Sequence, residues 1–504
     1  MQKPGHIFLF LLVLGSVILG LSVLSPKEPI KIGPFELSFY QPQDLLGLSW
    51  EEEQVDSLDT FGLMDSLSLD SLPEEVIEIV TQKPVLDTTL QIAKWDVFAP
   101  IFDALSDLKA GKRSKVRIIH YGDSQLEGDR ITMQLRNSLQ KQYGGRGFGY
   151  VAMEPLVDPA SLDFIESQGL LRKTAFGRRD TAIKDMAYGH LASFTMLEAN
   201  EGSSGYSGYV TFSKRNWGYS LARDFSKVKM SVGTTAMTIV QIWVADTIFS
   251  TQSLPENTEG TVDIEVPDAE SFTLAMQSDV SPRIYGLSFE SATGVHVDNV
   301  AMRGASGMVF SKLDPDQFQR QLQREDYKLI ILQYGGNAVP YLKDEGHARR
   351  FARSAARQID HIKRLYPGAA IIYIGPSDMA RKNGLKMESY PLIKPFKAAL
   401  RAEVLSRGAA YWDLYDVMGG EGSMVRWVDQ EPAFAVKDYI HFTPKGAQWV
   451  GNALTAQLNA AQQTYMLEIE RQTLETKRKK DSVDTWAASL VVDVDSNAID
   501  TIQP

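Results

Sequence analysis

The chain has no cysteine among its 504 residues and only seven histidines, which are scattered. Disulfides and thiolate nucleophiles are therefore excluded, and no histidine spacing typical of a metal site is present. No glycine-rich loop of the phosphate-binding kind occurs either. The net charge of −11 argues against nucleic acid as substrate or partner. The sequence thus implies no metal and no other cofactor.

Basic residues are also missing between Lys31 and Lys83, where acidic residues and three Asp-Ser-Leu repeats accumulate. That composition is typical of a solvated linker. It follows an uncharged apolar run at residues 7–24, which is long enough to span a bilayer. We interpret this run as a transmembrane anchor with a cytoplasmic N-terminus. A cleaved signal peptide is the alternative, and both place the rest of the chain outside the cytoplasm, in the periplasm.

Strands and helices alternate from residue 114 onwards. Apolar runs at 116–121, 329–334 and 369–375 predict buried strands, and the segments 346–366 and 389–408 predict helices. This alternation predicts an α/β domain with a parallel sheet, whose active site lies at the carboxyl ends of the strands. Between residues 165 and 295 the pattern changes to short β-rich runs separated by Gly, Ser, Asn and Pro, which indicates an inserted β-sandwich.

Hydrolase chemistry is indicated by polar residues that follow these strands. Ser124 comes directly after the first strand, and Asp438 and His441 form a late Asp-x-x-His. A serine hydroxyl is a weak nucleophile that needs a base to take its proton and a third group to orient that base. We therefore predict that His441 is the base and that Asp438 orients its ring.

Two further strand ends offer donors for the oxyanion that forms when serine attacks an ester. Residues 298–307 end in a small-residue turn, where Gly304 or Gly307 can present a bare backbone N–H. Residues 329–337 end in Gly-Gly-Asn, so the amide of Asn337 can point to the same place.

Together these four blocks resemble the SGNH, or GDSL-type, esterase family. The matching residues are Gly122-Asp123-Ser124, the run Asn-Val-Ala-Met-Arg-Gly ending at Gly304, Gly335-Gly336-Asn337, and Asp438-x-x-His441. The resemblance implies a flavodoxin-like, three-layer fold with Ser124 as the nucleophile. It also implies an oxyanion hole made by the backbone N–H groups of Ser124 and Gly304 and by the Asn337 amide.

The resemblance covers residues 114–158 and 296–460, with two departures from the family pattern. Gln125 follows the serine where the family often has Leu, and Ala338 stands where the third block often has Asp. Neither departure removes a catalytic group, but both blur the substrate class. In the second block Gly307 competes with Gly304 for the donor role.

The insert resembles, in architecture, the jelly-roll-like carbohydrate-binding modules found in some bacterial peptidoglycan O-acetylesterases of this family. Its candidates for stacking on sugar rings are Trp217, Tyr219 and Trp243, with core packing as the alternative for each. The predicted organisation is an anchor (1–30), an acidic linker (31–95), a hydrolase domain in two parts (96–164 and 296–460), the inserted module (165–295), and a charged helix with a disordered tail (461–504).

These features predict an extracytoplasmic serine esterase that removes O-acetyl groups from cell-envelope or polysaccharide sugars through an acyl-enzyme. The first alternative is an O-acetyltransferase that uses the same residues, a sugar hydroxyl as acceptor and a membrane-bound acyl-transfer partner. The second is a non-catalytic glycan-binding protein, and the third is a lipase acting on long acyl chains.

Overall fold

The computed structural model describes residues 30–32, 35–37, 89–215 and 217–496. Two short strands, β1 (Ile30–Ile32) and β2 (Phe35–Leu37), pair antiparallel within a unit that spans Met1–Lys83. The predicted transmembrane run and most of the acidic linker lie outside the described residues. Within the described ranges, no helix is long and apolar enough to cross a membrane.

The other described strands belong to a second compact unit, Pro84–Pro504. They are β3 (Lys115–Gly122), β4 (Gly149–Val151), β5 (Leu162–Gln168), β6 (Leu170–Thr174), β7 (Ser193–Ala199), β8 (Tyr206–Lys214), β9 (Lys227–Gly233), β10 (Thr238–Val244), β11 (Thr247–Leu254), β12 (Glu259–Ile264), β13 (Ser271–Ser278), β14 (Arg283–Glu290), β15 (Gly294–Ala301), β16 (Tyr327–Gln333), β17 (Ala370–Ile374), β18 (Ala380–Asn383), β19 (Lys386–Ser389) and β20 (Ala410–Trp412).

Some helices of this unit begin directly after an aspartate that caps them. Asp314 accepts the backbone N–H of Gln317 at 2.8 Å, and Asp344 accepts that of His347 at 2.6 Å, so both cap the helices that follow them. The helices are α1 (Ala99–Lys109), α2 (Thr132–Tyr143), α3 (Ser220–Arg223), α4 (Pro315–Glu325), α5 (Glu345–Leu365), α6 (Ile393–Ser406), α7 (Leu414–Val417), α8 (Ser423–Asp429) and α9 (Pro444–Ser496).

The centre of the unit is a five-stranded parallel sheet in the order β15-β3-β16-β17-β20. Taken in chain order this is the 2-1-3-4-5 arrangement of flavodoxin-like folds. Nearly every side chain of β3, β16 and β17 is buried. A parallel sheet covered on both faces requires such continuous apolar strands. The predicted α/β class and parallel sheet are confirmed.

Two apolar cores form on opposite faces of this sheet, because successive side chains of a strand point to opposite sides. The adjacent residues Ile118 and Ile119 of β3 accordingly belong to different cores. One core contains residues of α4, α5 and α6, and the other contains residues of α1, α2 and α9. This is the three-layer packing expected of the fold.

Strands β4 to β14 form an antiparallel β-module, which we define as residues 149–290. Its hydrogen-bonded path runs β11-β10-β13-β8-β7-β14-β9-β12, and β4, β5 and β6 pair with β14, β8 and β7. A third apolar core fills it, including Phe212, Met230 and Leu287. Strand β7 pairs with both β8 and β14 and so connects the strands into one path. The module also begins before residue 165, the limit expected from the sequence.

A buried charge cluster joins the β-module to the central sheet. Arg117 on β3 is 1% exposed, and its guanidinium lies 2.7 Å from Glu290, 3.1 Å from Asp298 and 2.5 Å from Glu325. Burial opposes the charge of Arg117, but the three carboxylates dominate and raise its pKa. Glu290 is the last residue of β14, Asp298 lies on β15 and Glu325 on α4. The Arg117 side chain on β3 therefore connects the module to the α/β domain.

The cluster is balanced in charge and includes two lysines. Lys115 and Lys229 lie 2.5 Å and 3.1 Å from Glu290, so three cations face three carboxylates. Apolar contacts strengthen the same junction, since Tyr188 and Phe194 of the module pack in the core that contains Ile119. The module is therefore built into the α/β domain.

The C-terminal helix is longer than expected. The sequence predicts a closing helix at 446–458, a charged helix at 463–480 and a disordered tail from residue 481, whereas α9 is continuous to Ser496. No Gly or Pro occurs between residues 452 and 496 to stop it. Its first turns bury Val450 and Leu454, and its charged continuation is exposed.

We predict that Glu290→Gln lowers the free energy of unfolding by about 3–5 kcal/mol, because it leaves an unbalanced positive charge around buried Arg117. Urea unfolding followed by tryptophan fluorescence measures the change. The matched control is Glu259→Gln, which removes a pair with Arg320 whose two side chains are each 50% exposed, and it should have little effect. Equal losses in the two variants would contradict the structural role of the cluster.

Candidate active site

The predicted site residues follow three neighbouring strands of the central sheet. Ser124 comes after β3, Gly304 after β15 and Asn337 after β16. Parallel strands end at the same edge of a sheet, so the topology brings these residues together. The edge between β3 and β16 is also where the strand order reverses, the usual position of ligand sites in such sheets.

A hydrogen-bonded row connects the serine, the histidine and the aspartate. Ser124 Oγ lies 2.8 Å from His441 Nε2, and His441 Nδ1 lies 2.6 Å from Asp438 Oδ2. Asp438 Oδ1 accepts the backbone N–H groups of Ile440 at 2.9 Å and His441 at 3.0 Å. Burial raises the pKa of Asp438, but these hydrogen bonds outweigh it and the pKa is lowered. An ionised Asp438 keeps the proton on Nδ1, so Nε2 can accept the proton of Ser124.

Gln125 holds the backbone on both sides of His441. Its Nε2 donates to the carbonyl of Ile440 at 2.8 Å, and its Oε1 accepts the backbone N–H of Phe442 at 3.3 Å. Arg130 braces the same segments, donating to the carbonyls of Phe442 at 3.0 Å and Ser124 at 3.4 Å. In the sequence Gln125 is only a departure from the usual Leu. The residue type could have indicated this role, because a Gln side chain can both donate and accept a hydrogen bond and a Leu side chain can do neither.

The amide of Asn337 lies beside the residue that precedes the serine. Its Nδ2 donates to Asp123 Oδ2 at 3.2 Å and to the carbonyl of Ala305 at 3.1 Å. Burial raises the pKa of Asp123 to about 6, although hydrogen bonds from Gln125 and Asn337 oppose the shift. The Asn337 amide thus already donates to two acceptors, and an oxyanion would have to replace either Asp123 or the carbonyl of Ala305.

The two glycines of the second block differ in their surroundings. Both have a positive φ, +71° at Gly304 and +77° at Gly307. A side chain at Gly307 would overlap the ring of Tyr334 at 2.8 Å, whereas one at Gly304 would meet nothing within 4 Å. Contact with the Tyr334 ring therefore explains why residue 307 is a glycine. The open space beside Gly304 favours its backbone N–H as the donor to the oxyanion. The preceding Arg303 forms a two-pronged ion pair with Glu127, at 2.6 Å and 2.9 Å.

The three aromatic residues predicted to bind sugar are all partly buried. Tyr219 contacts the α/β domain, since its hydroxyl donates to Gln134 on α2 and its ring lies 6.0 Å from the Lys141 ammonium. Trp243 lies on β10, and Trp217 lies in the segment between β8 and α3. The sugar-binding role of the three residues stays a prediction.

Residues 271–449 match the model of the GDSL-like lipase/acylhydrolase family. The chain carries a GDSL-type hydrolase domain. This match includes Gly304, Asn337, Asp438 and His441 and begins within β13, so the Ser124 block lies outside it, on the other side of most of the β-module. No curated protein matches the sequence significantly.

The fold is similar to that of a peptidoglycan O-acetylesterase, with a TM-score of 0.57 and 21% identity over 74% of this chain and 99% of that one. A family two carbohydrate esterase from Clostridium thermocellum, in complex with cellohexaose, aligns with a TM-score of 0.23 and 13% identity over 57% and 98% of the chains. A salicylyl-acyltransferase from a tetracycline biosynthetic pathway aligns with a TM-score of 0.27 and 10% identity over 62% and 96%. Only the first likeness bears on the fold.

We predict that Gln125→Leu lowers kcat on p-nitrophenyl acetate roughly 10- to 100-fold with little change in KM, because the histidine segment loses two fixed contacts and drifts from Ser124. Steady-state kinetics on the folded variant measure it. The control is Gln142→Leu, which alters an exposed glutamine of α2 whose side chain donates to Ser138. An unchanged kcat in Gln125→Leu would show that the amide does not position His441.

Proposed function

We propose that the protein is an extracytoplasmic carbohydrate O-acylesterase that removes short acyl groups, acetyl first of all, from cell-envelope or polysaccharide sugars. One observation carries the proposal: the Ser124–His441–Asp438 row is hydrogen-bonded at 2.8 Å and 2.6 Å at the carboxyl edge of the sheet. Nucleophile, base and orienting group thus have the geometry of serine hydrolases.

In the first half of the proposed reaction, Ser124 Oγ attacks the ester carbonyl and His441 Nε2 takes its proton. Asp438 stabilises the imidazolium that results. The carbonyl oxygen becomes an oxyanion, which the backbone N–H groups of Ser124 and Gly304 and the Asn337 amide receive. The carbon–oxygen bond to the sugar then breaks, and His441 returns the proton to the leaving sugar oxygen.

In the second half, water attacks the acyl carbon while His441 takes one of its protons. The ester bond to Ser124 breaks, the acid is released and the proton returns to Oγ. The side chains of His441 and Asp438 are 37% and 40% exposed, so water has access to the base. That access is what hydrolysis requires, and the same acyl-enzyme serves transfer to a sugar hydroxyl.

The proposed substrate and location rest on further support. The fold is shared with a peptidoglycan O-acetylesterase. The apolar run at residues 7–24 and the acidic stretch after it support membrane attachment with the hydrolase domain outside the cytoplasm. A membrane-bound acyl-transfer partner belongs to the transferase alternative and stays a prediction.

We predict that Ser124→Ala reduces hydrolysis of p-nitrophenyl acetate by roughly 10³-fold or more, because no other group can form the acyl-enzyme. Release of p-nitrophenol measures the rate, with circular dichroism as the test of folding. Ser253→Ala, which changes an exposed serine on β11, is the control and should retain full activity. A folded Ser124→Ala variant within about tenfold of the parent would contradict the proposal.

A further inference from the structure

A cavity of about 80 Å³ lies between the β-module and the α/β domain, beside the candidate active site. On the α/β side it is lined by Glu127, in the turn that starts at Ser124, and by Arg303, which precedes Gly304. On the module side it is lined by Arg172 of β6 and by apolar residues that include Leu156. Ser124 and Gly304 do not line the cavity themselves, but Glu127 and Arg303 place it next to their segments, so a polymer bound at the serine can extend towards it.

Three arginines line the cavity, and they differ in their partners. Arg303 is paired with Glu127, and Arg136 is paired with Asp129 in a fully buried ion pair. Arg172 forms no ion pair among the described residues, and its Nε is buried without a hydrogen-bond partner, although the carboxylate of Glu154 accepts its backbone N–H. Burial lowers the pKa of Arg172, and the more distant Glu154 and Glu127 only partly oppose that shift.

Arg172 is half-buried, and its Nε is enclosed without a hydrogen-bond partner. A guanidinium carries five N–H donors and a charge, so enclosing part of it without a partner is unfavourable. A carboxylate meets both needs, since its two oxygens accept two parallel hydrogen bonds and its charge balances that of the guanidinium. The apolar surface beside it, with Leu156 still 61% exposed, suits the rest of an organic ligand.

We propose that Arg172 binds a carboxylate of the acylated glycan, which makes acidic sugar polymers the preferred substrates of this site. The inference rests on the proposed esterase function and adds a specificity-determining residue to it. Arg172 lies on β6, so this is a contribution of the β-module to substrate choice. It does not require the aromatic residues Trp217, Tyr219 and Trp243.

The test compares acetate release from O-acetylated polygalacturonate with release from the same polymer after methyl esterification of its carboxyl groups. The protein is used as the full chain, and p-nitrophenyl acetate serves as the small substrate. We expect the parent to prefer the acidic polymer. Arg172→Gln should lower kcat/KM on that polymer roughly 10- to 100-fold, mainly by raising KM. Its kcat/KM on the esterified polymer and on p-nitrophenyl acetate should equal that of the parent. Arg178→Gln, at an exposed arginine of the same module, is the control and should behave like the parent.

The possible results separate the two proposals. If the parent does not hydrolyse p-nitrophenyl acetate, the esterase function itself is wrong. If it does so but shows no preference for the acidic polymer, the role of Arg172 is overturned and the esterase stands. Equal losses on both polymers in Arg172→Gln would likewise overturn carboxylate binding. If that variant fails to fold, the rates of the parent on the acidic and the esterified polymer decide whether the site prefers a carboxylate.

Discussion

The parallel register of β3 with its two neighbours is the constraint on which the active site depends. Gly122, the last residue of β3, lies opposite Ala301 of β15 and opposite Gln333 of β16. Three strands therefore end in line, and the residues that follow them share one edge. A shift in register would move the Ser124, Gly304 and Asn337 segments apart along the sheet. His441 and Asp438 come from a loop instead, and Gln125 and Arg130 fasten that loop to the β3 end.

The β-module is fixed to the central sheet near the start of β3, by the buried charge cluster around Arg117. Arg117 connects Glu290 of the module with Asp298 and Glu325 of the α/β domain, and Arg117 is buried. Excising the insert would leave that guanidinium without Glu290 and would also remove Tyr188 and Phe194 from the main core. A module fixed in this way can hold Arg172 at a constant position relative to Ser124. A flexibly tethered binding module could not.

Much of the fold was predictable because its signals are local. The strands after residue 114 are apolar runs with clear ends, and the four blocks carry the chemistry of the site in their own residues. Three of the short β-rich runs predicted between residues 165 and 295, at 206–212, 228–232 and 284–290, fall within β8, β9 and β14. Strand β5 was missed because Leu-Asp-Phe-Ile-Glu-Ser-Gln is largely polar and half exposed. Gln125 and Arg172 were missed for another reason, since their importance lies in partners, or in a missing partner, that only tertiary contacts reveal.

Labelling with a fluorophosphonate, which forms a stable adduct with an activated serine, tests most directly whether Ser124 is the nucleophile. The labelled peptide is identified by mass spectrometry, in the parent and in a His441→Asn variant. We predict one label per chain on Ser124 in the parent and a much slower reaction in the variant, because Ser124 then lacks its base. Labelling of another serine, or equal labelling of Ser124 in both proteins, would contradict a hydrolase site built on the 2.8 Å contact between Ser124 and His441.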